Sequence, residues 1–206
     1  KHENALLNEL YKAKIIIAIL LTTINSDSYC QEWTLEKDKN GIKVYAREAT
    51  DSQFAETRAI SNFNTSKEKF IEFIWDIENY PNWQKDYIIS KVLASKGKYN
   101  KTIYFEFKAP WPIQNRDIVI DMKQVEKDDA TYAYTQVEKS ILAPKDGIVR
   151  MSKYNGFWKI KELENGIEVI LQMATNPEGK IPTFLIDFHK VTGPYNTFMN
   201  LKSIFN

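Results

Sequence analysis

Residues 181–206 read IPTFLIDFHKVTGPYNTFMNLKSIFN, and this closing stretch decides how the rest of the chain is arranged. Ile181, Phe184, Leu185, Phe188, Val191, Tyr195, Phe198 and Met199 recur at intervals that place them down one side of a helix. The pattern predicts one long helix from Ile181 to about Phe205. Gly193-Pro194 falls inside it. Proline has no backbone N–H and crowds the preceding turn, so a kink is expected there.

Upstream the periodicity is that of strands. The expected segments are Ile88 to Ala94, Thr102 to Lys108, Asp117 to Val125, Thr131 to Glu138, Val149 to Lys161 and Glu168 to Ala174. Turn residues separate them at Gly97, Asp128-Asp129, Asp146-Gly147 and Asn165-Gly166, which reads as a long antiparallel meander. Nearer the start, Trp33 and Leu35 alternate with polar residues, Lys39-Asn40-Gly41 turns, and Ile42 and Val44 resume the alternation. Asn-Gly supplies the positive φ angles that a tight hairpin needs. Phe54 to Phe63 predicts a third strand. Then the period changes: Phe70, Phe73, Ile74 and Ile77 form a helical stripe, with Thr65 or Ser66 as its N-cap. Pro81 is expected to end that helix, because the residue before proline avoids the helical region.

Strand pair, strand, helix, about six strands and a long helix make an α+β order. A curved antiparallel sheet wrapped around its C-terminal helix, the helix-grip architecture, accounts for it. Strong curvature leaves room beneath the helix that side chains need not fill, and an aromatic and aliphatic cavity is a ready ligand site. No internal repeat or flexible linker interrupts residues 31–206, so they read as one domain.

The 206 residues are 43% hydrophobic and 27% charged, the balance of an ordinary globular protein with one sizeable core. The net charge is +1 and the charges alternate in sign, as in Glu36-Lys37-Asp38-Lys39, so no basic face for nucleic acid is expected. A single cysteine, Cys30, rules out an intramolecular disulfide and a thiolate zinc site. The first thirty residues differ from the rest: Lys12 and Lys14 precede the apolar run Ile15 to Leu21, and Ser28 and Cys30 stand where a signal peptidase wants small residues. Residues 1–30 therefore read as a secretory signal peptide, and export to the periplasm or medium follows from that reading. An apolar helix packed on the domain of a cytoplasmic protein, or a membrane anchor, is the alternative. The apolar run is too short to span a bilayer.

Four blocks resemble the START (StAR-related lipid-transfer) family. Ala109-Pro110-Trp111-Pro112-Ile113-Gln114-Asn115-Arg116-Asp117 is similar to its PWP block followed by Arg-Asp. Trp33-Thr34-Leu35 through Gly41-Ile42-Lys43-Val44-Tyr45 looks like its opening hairpin, and Asp76 to Trp83 like its helix end. Asn176-Pro177-Glu178-Gly179-Lys180-Ile181-Pro182 resembles its lead into the last helix. The blocks stand in the family's order across nearly all of residues 33–205.

The resemblance implies a cavity closed by the C-terminal helix and a neighbouring loop, holding a sterol, phospholipid or other apolar molecule. Phe184, Phe188 and Val191 would be the helix's contribution, and Tyr104, Glu106, Ile118, Ile120, Met122 and Met173 that of the strands. Each apolar residue among them equally suits ordinary core filling. Some members carry an acid–arginine pair that orients a ligand hydroxyl, for which Glu106 and Arg116 are the nearest candidates. Sterol-binding relatives place their arginine deeper in the strand, where this chain has Ile120 and Met122, so Arg116 reads first as a structural strand-start ion pair.

Catalytic chemistry is thinly represented. His189 is the single histidine of the domain, no second histidine stands at metal spacing, and the glycines are too scattered for a phosphate loop. No cofactor and no catalytic residue is expected. The enzymatic alternative is a polyketide cyclase or aromatase of the same superfamily. The expected partners are a lipid and, transiently, a membrane surface, with the protein as a monomer and Gly193-Pro194 as a hinge for release.

Overall fold

Asn40 and Gly41 both take positive φ, 55° and 68°, and turn β1 (Thr34–Lys39) back onto β2 (Ile42–Glu48) as the Asn-Gly pair predicts. The computed structural model describes residues 32–48, 55–139 and 141–206, so the expectations for residues 1–30 lie outside the described residues. The described unit, Glu32–Asn206, continues with β3 (Ala55–Phe63), α1 (Lys67–Trp75), a 3₁₀ turn (Ile77–Asn79) and α2 (Tyr80–Trp83). Then come β4 (Tyr87–Ser95), β5 (Asn100–Phe107), β6 (Arg116–Lys127), β7 (Ala130–Val137) and β8 (Val149–Arg150). β9 (Lys153–Leu163), β10 (Gly166–Asn176) and α3 (Thr183–Phe205) complete it.

The strands form one sheet in the order β1-β2-β3-β10-β9-β7-β6-β5-β4, so the last strand closes against the third and joins the opening strands to the meander. α3 lies against β2 and β3. The α+β helix-grip arrangement is the observed one.

Two local expectations are corrected. Val149 to Lys161 is two strands: β9 belongs to the meander, whereas β8 pairs parallel with the start of β6, Val149 opposite Arg116 and Arg150 opposite Asp117. The helix expected to run to Pro81 stops at Trp75, where Asp76 leaves helical geometry (ψ 73°). Pro81 instead sits in the first turn of α2, where its missing N–H would have had no intrahelical partner. α3 runs as one continuous helix from Thr183 to Phe205, with Gly193 and Pro194 inside it as the sequence places them. The N-cap expectation holds: Ser66 accepts from the backbone N–H of Lys69 at 3.3 Å.

Candidate functional site

Directly paired residues of an antiparallel ladder share a face, so the register assigns each strand residue to a side. Ile118 pairs with Phe105 and Ile120 with Ile103 on the inner face, the one that holds the hydrophobic core. Arg116, opposite Phe107, stands on the same face at one end of the sheet. At the other end Phe63 pairs with Ile167. There Phe63 packs on Phe70 and Phe198 at 5.6 and 5.8 Å between ring centroids, and Phe198 stacks on Trp158 at 6.2 Å. This end is filled with aromatic rings.

Between the two ends the register strings together Met122, Thr135, Gly156, Met173, Thr57 and Ala46 on neighbouring strands. Thr135, Gly156, Thr57 and Ala46 make this row a strip of small side chains. Gly156 is required there, because a Cβ would stand 2.5 Å from the carbonyl oxygen of Gln172.

α3 changes character along its length. Tyr195, Phe198 and Leu201 in its second half are at most 7% exposed, and Asn40 donates to the Tyr195 hydroxyl at 2.8 Å. In its first half Phe184 is 69% and Phe188 59% exposed. A cleft of about 630 Å³ opens beside that first half, between Pro110–Gln114, Arg116, Val149, Gly179–Lys180, Pro182 and Leu185. Trp111, at its rim, is 92% exposed.

Arg116 does not meet Glu106. Its guanidinium donates instead to backbone carbonyls: Nε to Pro177 at 3.3 Å, Nη2 to Glu178 at 3.2 Å and Nη1 to Gln114. It therefore ties the start of β6 to the segment that leads into α3. The side chain is 7% exposed, among the described residues it makes no ion pair, and burial lowers its pKa from the ordinary arginine value.

Glu106 and Tyr104 lie on the outer face, since they pair with Asp117 and Val119. The Tyr104 hydroxyl donates to Glu106 at 3.0 Å, and Lys145 donates to the same carboxylate at 3.2 Å. Burial pushes the Tyr104 hydroxyl up to about 12, so it stays a donor at neutral pH. Lys145 belongs to a strap, residues 141–150, that covers this face. Arg150 anchors the strap through a two-pronged ion pair to the fully buried Asp117, Nε to Oδ1 at 2.7 Å and Nη2 to Oδ2 at 2.9 Å. Arg150 also donates to the Leu142 carbonyl at 2.8 Å.

The structure thus gathers Ile118, Ile120, Met122 and Met173 on the inner face, with Val191 packed against the same core and Arg116 and Phe184 at the cleft. Tyr104 and Glu106 are not brought to them, and the expected Glu106–Arg116 pairing is replaced by Glu106–Lys145 and Asp117–Arg150. Phe188 and His189 are exposed on α3, ring against ring at 5.6 Å. Lys180, Leu185 and Val149 at the cleft were not singled out from sequence. Lys180 sits in the Pro-x-Gly-x-Ile-Pro block, a signal of position, whereas Val149 and Arg150 carry no local signal at all.

No family model matches the chain. An uncharacterized protein of Pseudomonas aeruginosa is 26% identical over 190 residues, 91% of this chain and 94% of that protein. Phosphatidylcholine transfer protein of Mus musculus is 24% identical over 172 residues, 80% of this chain and 79% of its own length. Among solved structures, a STAR-related lipid transfer protein from Xanthomonas axonopodis superposes with a TM-score of 0.77 at 28% identity, covering 83% of this chain and 97% of that one. Taken with the gripped helix and the sheet order, these likenesses show that residues 32–206 have the helix-grip fold and are similar throughout to START-type lipid-transfer domains.

Proposed function

We propose that this protein carries one lipid, with the apolar part along the inner face of the sheet and the polar end at the cleft. The change of packing along α3 supports this reading most directly. Its second half is sealed onto the aromatic end of the core, while its first half leaves Phe184 and Phe188 exposed beside an open cleft. The distance along β6 from Arg116 to Met122, in the strip of small residues, is about 20 Å at the usual rise of an extended strand. Apolar surface covered there gains about 25 cal/mol per Å², which favours enclosure of an acyl chain over its exposure to water.

Trp111 and Phe184 give the cleft an apolar rim, and Phe188 is exposed one turn further along α3. Such side chains are costly in water and suited to a bilayer interface, so loading and release take place at a membrane surface. Native mass spectrometry of the purified protein, followed by organic extraction, tests the carrier reading. One lipid per chain is the expected result. A protein that arrives empty and takes up no phospholipid, fatty acid or sterol overturns it, in favour of cyclase-like chemistry or a filled core.

Two substitutions sharpen the test. Thr57→Trp places a large ring on the strip of small residues; overpacking costs about 1–3 kcal/mol. Unfolding should remain cooperative while lipid per chain in native mass spectra falls about tenfold or more. Undiminished loading would move the acyl chain elsewhere. Gly193→Ala adds a methyl group into open space and stiffens α3 by about 1 kcal/mol. If α3 bends at Gly193 on release, the rate of lipid transfer between vesicles falls while equilibrium loading stays the same; equal rates would remove the hinge.

A further inference from the structure

Arg116 carries a charge that no ion pair among the described residues compensates. Its three carbonyl partners are dipoles with no net charge, and it is 7% exposed at the wall of the cleft. The nearby acids are committed elsewhere: Asp117 points to the outer face and is held by Arg150, and the Glu178 carboxylate accepts from Ser152. A buried guanidinium without a counter-charge is costly to keep. Of its five N–H groups three are used, which leaves one each on Nη1 and Nη2.

Lys180 lines the same cleft, is exposed, and makes no ion pair among the described residues. The start of α3 borders the cleft too, and Pro182 offers its first turn no side-chain cap, so the positive end of the helix is open on that side. Two cations of different depth and a helix start converge on one space, lined otherwise by apolar side chains.

We propose that Arg116 and Lys180 form a subsite for the phosphate of a lipid head group. The planar fork of Arg116 takes phosphate oxygens from within, and Lys180 closes on them from the rim as a mobile point charge. The subsite rests on the carrier reading above and narrows it: the cargo is a phosphate-bearing lipid, and the phosphate supplies the counter-charge that Arg116 lacks.

The test uses the full chain and phosphate-free vesicles of digalactosyldiacylglycerol. These hold a trace of pyrene-labelled phosphatidic acid or of pyrene-labelled diacylglycerol with the same acyl chains. High salt screens attraction to the vesicle surface but acts weakly on a buried charge. The wild-type protein should extract phosphatidic acid about tenfold better than diacylglycerol. Lys180→Glu, at an exposed position that leaves the fold intact, should cut the preference for phosphatidic acid over diacylglycerol by about tenfold. Arg116→Gln should abolish the preference, and Lys180→Glu decides the matter if that variant fails to fold.

Equal extraction of the two lipids, or a Lys180→Glu variant that keeps the full preference, overturns the subsite while leaving lipid carriage standing. Extraction of neither overturns the subsite, and uptake of fatty acid or sterol in native mass spectra then decides whether lipid carriage falls with it. Inorganic phosphate alone is the last arm. If millimolar phosphate erases the preference and raises the melting temperature of lipid-free protein, the site serves a free anion and the lipid assignment falls.

Discussion

Phe198→Ala is expected to lower the unfolding free energy by about 3–5 kcal/mol. The ring is fully buried, stacks on Trp158 and packs on Phe63, and it fastens the second half of α3 to the closed end of the sheet. Its removal deletes apolar burial and leaves a void, because Trp158, Phe63 and Phe70 are themselves held by neighbours and cannot collapse into it. For a domain of this size each kcal/mol moves the melting temperature by about 2–4 °C, so a drop of about ten degrees should be visible by calorimetry. A loss below about 1 kcal/mol in urea titration would mean that α3 is not anchored there and that its two halves do not differ.

Asp117→Ala should cost a similar amount, about 3–5 kcal/mol, for another reason. Asp117 is fully buried and is the counter-charge of Arg150, which pins the strap over the outer face of β5 and β6. Taking away the carboxylate leaves the guanidinium partly buried with, among the described residues, the Leu142 and Ala143 carbonyls to serve it. The double variant Asp117→Ala, Arg150→Met should be more stable than Asp117→Ala alone, since it no longer confines an unpaired charge. If Asp117→Ala and Arg150→Met simply add, the pair is not coupled and the strap is held by other contacts.

Much of the architecture is legible residue by residue. The Asn40-Gly41 turn, the stripe of Phe70 and Ile74 on α1, and the recurrence from Phe184 to Met199 on α3 are properties of neighbours in sequence. Each is set by φ preference or by the 3.6-residue period. β5 and β6 resist the same reading. Thr102 to Glu106 and Arg116 to Ile120 are buried at every position, because the core covers one face and the strap the other. Strands buried on both sides show no alternation, so the sequence offers no sign that Tyr104 and Glu106 point away from Ile118 and Ile120.

The sequence alone determined the order of the main elements, the helix-grip class, a helix cap at Thr65 or Ser66 and the Arg116-Asp117 block as a place of interest. It could not decide the partners. Whether Arg116 meets Glu106 or the carbonyls of Pro177 and Glu178 depends on strand register and on where a segment some sixty residues away is tied down. Local structure follows from each residue's own torsional and solvation preferences. A charge pair or a cleft follows from which distant surfaces are brought together, and only the closed sheet with α3 across it settles that.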